Sequence, residues 1–165
     1  MPKTILITGA GSGFGESAAT GMAKNGHTVI ATVQVSPQVT PLRERTKAMG
    51  LSNLSVERLD LTDPYDIAQA QTFDVDVLWN NAGMGEAGPV FEILVELVRH
   101  NSMGGLFTSA NWGVYVSTKH ALESVAEALK QELEPYGIKV QTINPGAFYT
   151  GYNETMADAP FSARR

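Results

Sequence analysis

Residues 3–26 read KTILITGAGSGFGESAATGMAKNG, and this stretch decides the fold. Its opening, Lys3 to Thr8, is short, apolar and rich in β-branched side chains, the pattern of a buried strand. Glycines follow at positions 9, 11, 13 and 15, and a run of helix-forming residues then begins at Glu16. Strand, glycine turn and helix in that order bring the amides of a helix N-terminus to the end of a sheet, where they face an anion. A flexible linker is the weaker reading, because an apolar strand precedes the glycines and a helix follows them. The stretch therefore predicts a site for a phosphate-bearing nucleotide. Gly9, Gly13 and Gly15 follow Gly-x-x-x-Gly-x-Gly, and Phe14 breaks the commoner Gly-x-Gly-x-x-Gly register.

Working outward, strand and helix patterns alternate, as a parallel sheet with crossover helices requires. Strands are expected at 4–8, 28–33, 54–58, 75–79 and 139–143, and helices at 15–25, 40–49, 64–70, 89–100 and 114–134. The expected fold is α/β, a doubly wound parallel sheet in a single domain spanning 1–165. With 165 residues, 43% of them hydrophobic, the chain can bury one core. A net charge of −5 and no basic cluster argue against a nucleic-acid surface. The absence of cysteine excludes disulfides and thiolate metal sites. No apolar run approaches the roughly 20 residues of a membrane helix, and no signal peptide precedes the first strand, so a cytoplasmic chain is expected.

A second stretch carries chemistry. In GGLFTSANWGVYVSTK (104–119), Tyr115 precedes Lys119 by four residues, and Ser102 lies thirteen residues before Tyr115. Positions four apart share a helix face, so an ammonium beside the phenol would favour its ionised form and tune it as a proton donor. A hydroxyl from Ser102 could orient a substrate oxygen. Trp112 reads equally as a pocket wall and as a core residue. His27, His100 and His120 show no metal-ligand spacing, and no metal site is expected.

TGAGSGFG at 8–15, DLT at 60–62, NNAG at 80–83, the Ser102, Tyr115, Lys119 spacing and NPG at 144–146 occur in the order of one family. From Thr4 to about Thr150 the chain resembles the classical short-chain dehydrogenase/reductase family. The resemblance implies a Rossmann-type sheet and a hydride transfer between NAD or NADP and a small-molecule ketone or secondary alcohol. It implies Tyr115 as acid/base, Lys119 as its partner and ribose ligand, and Ser102 as the substrate-orienting hydroxyl. Its implied cofactor contacts are Gly9, Ser12, Gly13, Phe14, Gly15, Asp60, Leu61, Asn81, Ala82, Gly83, Tyr115, Lys119, Pro145, Gly146 and Thr150. Asp60 would meet the adenine edge; a helix N-cap or surface carboxylate is the alternative. The second strand ends in Ala31-Thr-Val-Gln34 with neither acid nor arginine, which leans to NAD, with Gln34 or Thr32 as ribose contacts. A homodimer or homotetramer is expected.

The chain departs from the family between Gly83 and Ser102, where only one helix, PVFEILVELVRH, is present and a central strand is absent. It also stops at Arg165, before the C-terminal part of the fold. Either this is a degenerate relative, or the sequence joins two segments across residues that are not recorded; the intact flanks favour the second and forecast a break in Cα spacing between Arg99 and Met103. Asn101 is not assigned as the asparagine that completes the family's catalytic set. Two rival functions stand beside hydride transfer. One is an inactive NAD(P)-binding scaffold or redox sensor; the other is a sugar-nucleotide epimerase or dehydratase of the extended type.

Overall fold

The computed structural model describes residues 1–83 and 113–146. The chain divides into two compact units, Met1–Ala82 and Gly83–Arg165.

The first unit is built on a parallel sheet. Its strands are β1 (Thr4–Ile7), β2 (Thr28–Val33), β3 (Leu54–Arg58) and β4 (Val77–Trp79), in the order β3-β2-β1-β4. The register runs Thr4 to Thr28 and Ile7 to Ala31 between β1 and β2, and Ile7 to Trp79 between β1 and β4. β1 and β2 are central, and burial follows position. Ile5, Leu6 and Ile7 are 4%, 4% and 0% exposed, so three consecutive side chains pointing to alternate faces are all covered. That explains why this strand is a continuous apolar run. β4 is the outer strand among those described, and its Val77 and Leu78 remain exposed.

Helices α1 (Gly13–Lys24), α2 (Val39–Ala48) and α3 (Pro64–Ala70) connect the strands, with α1 packed on β2 and α2 on β3. The core joins Ile5, Ile7, Val29, Ala31, Val33, Leu42 and Val56 with Ala19 and Ala23 of α1. Alanines on the inner face of α1 let the helix approach the sheet closely. β2, β3 and α3 span the expected residues. β4 starts at Val77 rather than 75, because Asp76 occupies the strand entrance: its backbone amide donates to Thr4 O at 2.9 Å and its side chain accepts from Thr4 N at 2.8 Å.

In the second unit, α4 (Gly113–Leu133) continues into a 3-10 turn, Glu134–Tyr136, and stops at Gly137, whose φ of +72° is the left-handed value that favours glycine. Pro135 lies in that 3-10 turn and, with no amide to donate, helps end the helix. The expected strand at 139–143 does not form. A strand exists through its ladder, and among the described residues no partner pairs with this segment. The expected helix at 89–100 and the spacing from Arg99 to Met103 lie outside the described residues.

Candidate dinucleotide and acid–base sites

The glycine turn is held from beneath by Asn81. Its Nδ2 donates to the carbonyls of Thr8 and Gly9, both at 3.0 Å. The amides of Asn81 and Ala82 both donate to the Thr8 hydroxyl, at 3.0 Å each. Thr8 is buried, so this double acceptor is a structural hub. Ala10 N donates to Thr32 O at 2.7 Å and ties the turn to β2.

Close approach explains the glycines. Gly9 has a φ of +67°, and a Cβ there would overlap Ala82. A Cβ on Gly15 would lie 2.5 Å from Asn81 Nδ2 and would collide with Gly9 O. Gly13 opens α1 with a φ of +59°. Ser12 is the N-cap, extended at φ −162°, and its side chain makes no capping bond, so the hydroxyl is not spent on the helix. Phe14 is exposed at the same turn. Arg45 of α2 reaches over, donating to Glu16 Oε1 at 2.8 Å and to Gly11 O at 3.4 Å. No sequence spacing signals that contact, which crosses from α2 to α1.

At the ends of β2 and β3 the expected contacts separate. Thr32 is not available to a ribose: it is fully buried and its hydroxyl donates to Ile7 O at 3.2 Å. Ala31 and Val33 on either side are buried as well, so both faces of β2 are covered at this point. Gln34 is exposed and its side chain bonds to Asp60. Asp60 Oδ1 accepts from the Thr62 amide at 2.9 Å and the Thr62 hydroxyl at 2.8 Å. These bonds, the amide first, hold its carboxyl below the usual carboxylate range, with Gln34 and Arg58 contributing less. Asp60 does not cap a helix; the N-cap of α3 is Asp63, whose carboxylate accepts from Tyr65 N at 2.9 Å. Leu61 follows Asp60 in the same turn. Sequence reasoning missed Asp66, a buried carboxylate that accepts from Asp60 N at 2.8 Å and from Arg58 Nη1 at 3.0 Å. Its only signal was an acidic residue in the first turn of a helix.

In the second unit, α4 carries Tyr115 and Lys119 on one face, as the spacing of four requires. Both are buried, 7% and 1% exposed. The Lys119 ammonium lies over the phenol ring, 4.6 Å from its centroid. Burial brings the Lys119 pKa down from 10.5 to about 8. Gly83, Pro145 and Gly146 are described in this unit as partly or fully exposed loop residues. Ser102 and Thr150, like Asn101, Trp112 and His100, lie outside the described residues. His27 Nδ1 accepts from Lys3 N at 3.1 Å, and His120 Nδ1 meets Val116 O at 3.0 Å, so both serve local structure. Among the described residues no group of three His, Cys, Asp or Glu side chains could hold a metal ion, and no helix is long and apolar enough to cross a membrane.

The profile of the short chain dehydrogenases matches residues 3–100 and 95–160. A 3-ketodihydrosphingosine reductase of Bacteroides thetaiotaomicron is 28% identical over 192 residues, covering 93% of this chain and 67% of its own. A short-chain dehydrogenase from Streptomyces avermitilis superposes with a TM-score of 0.77 at 31% identity, covering 91% of this chain and 68% of that one. A short-chain dehydrogenase from Sphingobium yanoikuyae, solved with NADPH, gives 0.80 at 25% identity, covering 95% and 75%. The chain thus spans about two thirds of the length of the Bacteroides and Streptomyces relatives. The 192-residue alignment is also longer than this chain's 165 residues, so the Bacteroides relative carries residues with no counterpart here. With the profile match covering nearly the whole sequence and a Rossmann-like parallel sheet behind a glycine turn, the chain belongs to the short-chain dehydrogenase family of oxidoreductases.

Proposed function

We propose that the protein is an oxidoreductase that transfers hydride between a nicotinamide dinucleotide and a carbonyl or secondary alcohol, with both units forming one domain across 1–165. The observation that carries the reading is the buried Tyr115 and Lys119 pair on α4. The glycine turn supports a dinucleotide. Gly9 and Gly15 are packed against Ala82 and Asn81 too closely for a Cβ, which keeps the turn tight, and the N-terminal amides of α1 beside Ser12, whose side chain makes no capping bond, suit a pyrophosphate. Gly13, Phe14 and Gly15 would complete that contact, with Gln34, Asp60 and Leu61 toward the adenosine half and Asn81, Ala82, Gly83, Pro145, Gly146 and Thr150 toward the nicotinamide half.

When bound, the nicotinamide supplies or accepts the hydride. In the reductive direction Tyr115 gives its hydroxyl proton to the developing alkoxide, and Ser102 orients that oxygen. Lys119 holds positive charge beside the phenol. Its lowered pKa, about 8, lets the charge be lost near physiological pH.

NAD is favoured over NADP. Arg45, the cation that reaches the glycine turn, is already neutralised by Glu16 at 2.8 Å. The Sphingobium relative was solved with NADPH, so parallel titrations with NADH and NADPH decide the preference. A cytoplasmic homodimer or homotetramer acting on a small ketone or alcohol completes the proposal.

The test is turnover on a panel of ketones and alcohols with Tyr115→Phe as the comparison. Loss of a positioned proton donor lowers kcat by about 10²-fold or more at nearly unchanged cofactor affinity. Equal losses in turnover and cofactor affinity would mark a structural tyrosine. One observation favours the rival, a dinucleotide-binding module without turnover: relatives carry internal residues that this chain lacks. Cofactor binding without turnover of any substrate identifies that case.

A further inference from the structure

Among the described residues Asp66 is the one buried carboxylate, and the turn after β3 is built around it. Its two oxygens serve different partners. Oδ1 accepts from Nη1 of Arg58, the last residue of β3, at 3.0 Å, and Oδ2 accepts from the Asp60 amide at 2.8 Å. α3 does not need this side chain as a cap, because Asp63 already accepts from Tyr65 N at 2.9 Å. Nor does β3 need it for pairing: Leu59 N donates to Val33 O at 2.8 Å, and the Asp60 amide lies one residue past that rung. Water or a neutral acceptor would satisfy such an amide, whereas a buried carboxylate must first lose its hydration. Asp66 therefore fixes Asp60 more firmly than the fold alone requires. The rest of Asp60 is held as well. Its carbonyl accepts from Asp63 N at 3.0 Å, and its Oδ1 accepts from the Thr62 amide and hydroxyl at 2.9 and 2.8 Å. Gln34, just past the end of β2, bonds to the same carboxylate.

We infer that Asp66 is a positioning residue for adenine recognition: it holds the Asp60 backbone from α3 so that the Asp60 carboxylate meets the 6-amino group of the purine. The inference rests on the reading above that the adenosine half of a dinucleotide lies against Gln34, Asp60 and Leu61. An ionised carboxylate only accepts hydrogen bonds, and the 6-amino group of adenine is a donor. Hypoxanthine carries a carbonyl oxygen at that position, so a carboxylate fixed there opposes it. A carboxylate free to turn away would distinguish the two purines poorly, which is what the support from Asp66 prevents. Arg58 balances the charge of Asp66 and so limits its repulsion of the Asp60 carboxylate.

The experiment titrates the full chain with the reduced nicotinamide adenine dinucleotide, NADH or NADPH, that the parent binds more tightly, and with its hypoxanthine counterpart. The parent should prefer adenine by at least about tenfold, the worth of one hydrogen bond to a charged group. Asp66→Asn, confirmed as folded by its melting curve, should bring that ratio close to one while leaving the affinity for reduced nicotinamide mononucleotide, which lacks the adenosine half, unchanged. Asp66→Ser, smaller and also neutral, should give the same result and serves if the asparagine is not accommodated. Asp63→Ala separates positioning from stability: it removes the cap of α3 but leaves the Asp60 amide its partner, so it should lower the melting temperature and keep the ratio. A full adenine preference in the Asp66 variants overturns the inference alone, and so does an equal loss of preference in Asp63→Ala. Equal affinity of the parent for both purines overturns it too, whereas a parent that binds neither dinucleotide overturns the proposed function and this inference with it.

Discussion

Lys119 is the residue whose environment conflicts most with its chemistry. It is 1% exposed, and burial lowers its pKa from 10.5 to about 8. In the unfolded chain it holds its proton up to about pH 10.5, whereas the folded protein releases it near 8. The unfolded state therefore binds more protons between those values, and stability rises with pH across that window. Below pH 8 the full penalty of about 3 kcal/mol is present. Lys119→Met should accordingly stabilise the protein by up to about 3 kcal/mol at pH 7, with the gain gone above pH ~10.5. Urea unfolding at both pH values checks it, and a pH-independent gain would show that packing, not charge burial, is responsible. Gly15 is the converse case, a residue defined by the side chain it lacks. Gly15→Ala sets a methyl against Asn81 Nδ2 and Gly9 O and should cost about 1–3 kcal/mol. An unchanged denaturation midpoint would show that the turn has room to shift.

At the scale of elements, strand position decides what a side chain contributes. Ile7 in β1 is completely buried, while Leu78 in β4 is 55% exposed, although both are apolar residues in paired neighbouring strands. Ile7→Ala should cost about 2–5 kcal/mol, and Leu78→Ala less than about 1 kcal/mol. Comparable losses at the two positions would mean that β4 is covered on its outer side in solution. The spans of β2, β3 and α3 were readable in the sequence because each is bounded by turn or capping residues, as Asp63 and Pro64 bound α3. The segment 139–143 was misread for a reason the same logic supplies. Its composition is that of a strand, but a strand needs a neighbour, and composition does not report whether one is present.

For the molecule as a whole, acid stability follows from carboxylates held by the fold. Asp76 accepts from Thr4 N and pairs with Lys3 at 3.7 Å, and those contacts, the amide first, lower its pKa from 3.8. Asp60 is lowered likewise by Thr62. A depressed carboxylate stabilises the fold above its unfolded pKa and loses that contribution as pH falls through the folded value, so stability should decline below about pH 4. Asp76→Asn should flatten that decline, and a thermal-melt series from pH 6 to pH 2.5 that superposes on the parent's would remove Asp76 from the account. The sequence by itself determined the strand, glycine turn and helix, the alternation of strands and helices through β4 and the shared face of Tyr115 and Lys119. These depend on local periodicity and on the spacing of residues near one another in the chain. Only the tertiary structure decided that Thr32 is sealed in the core, that Asn81 and Thr8 hold the glycine turn, that Arg45 reaches it from α2, and that 139–143 remains unpaired among the described residues. Each of those depends on which distant groups arrive beside a residue once the sheet is assembled, and burial and hydrogen-bond partners exist only after that assembly.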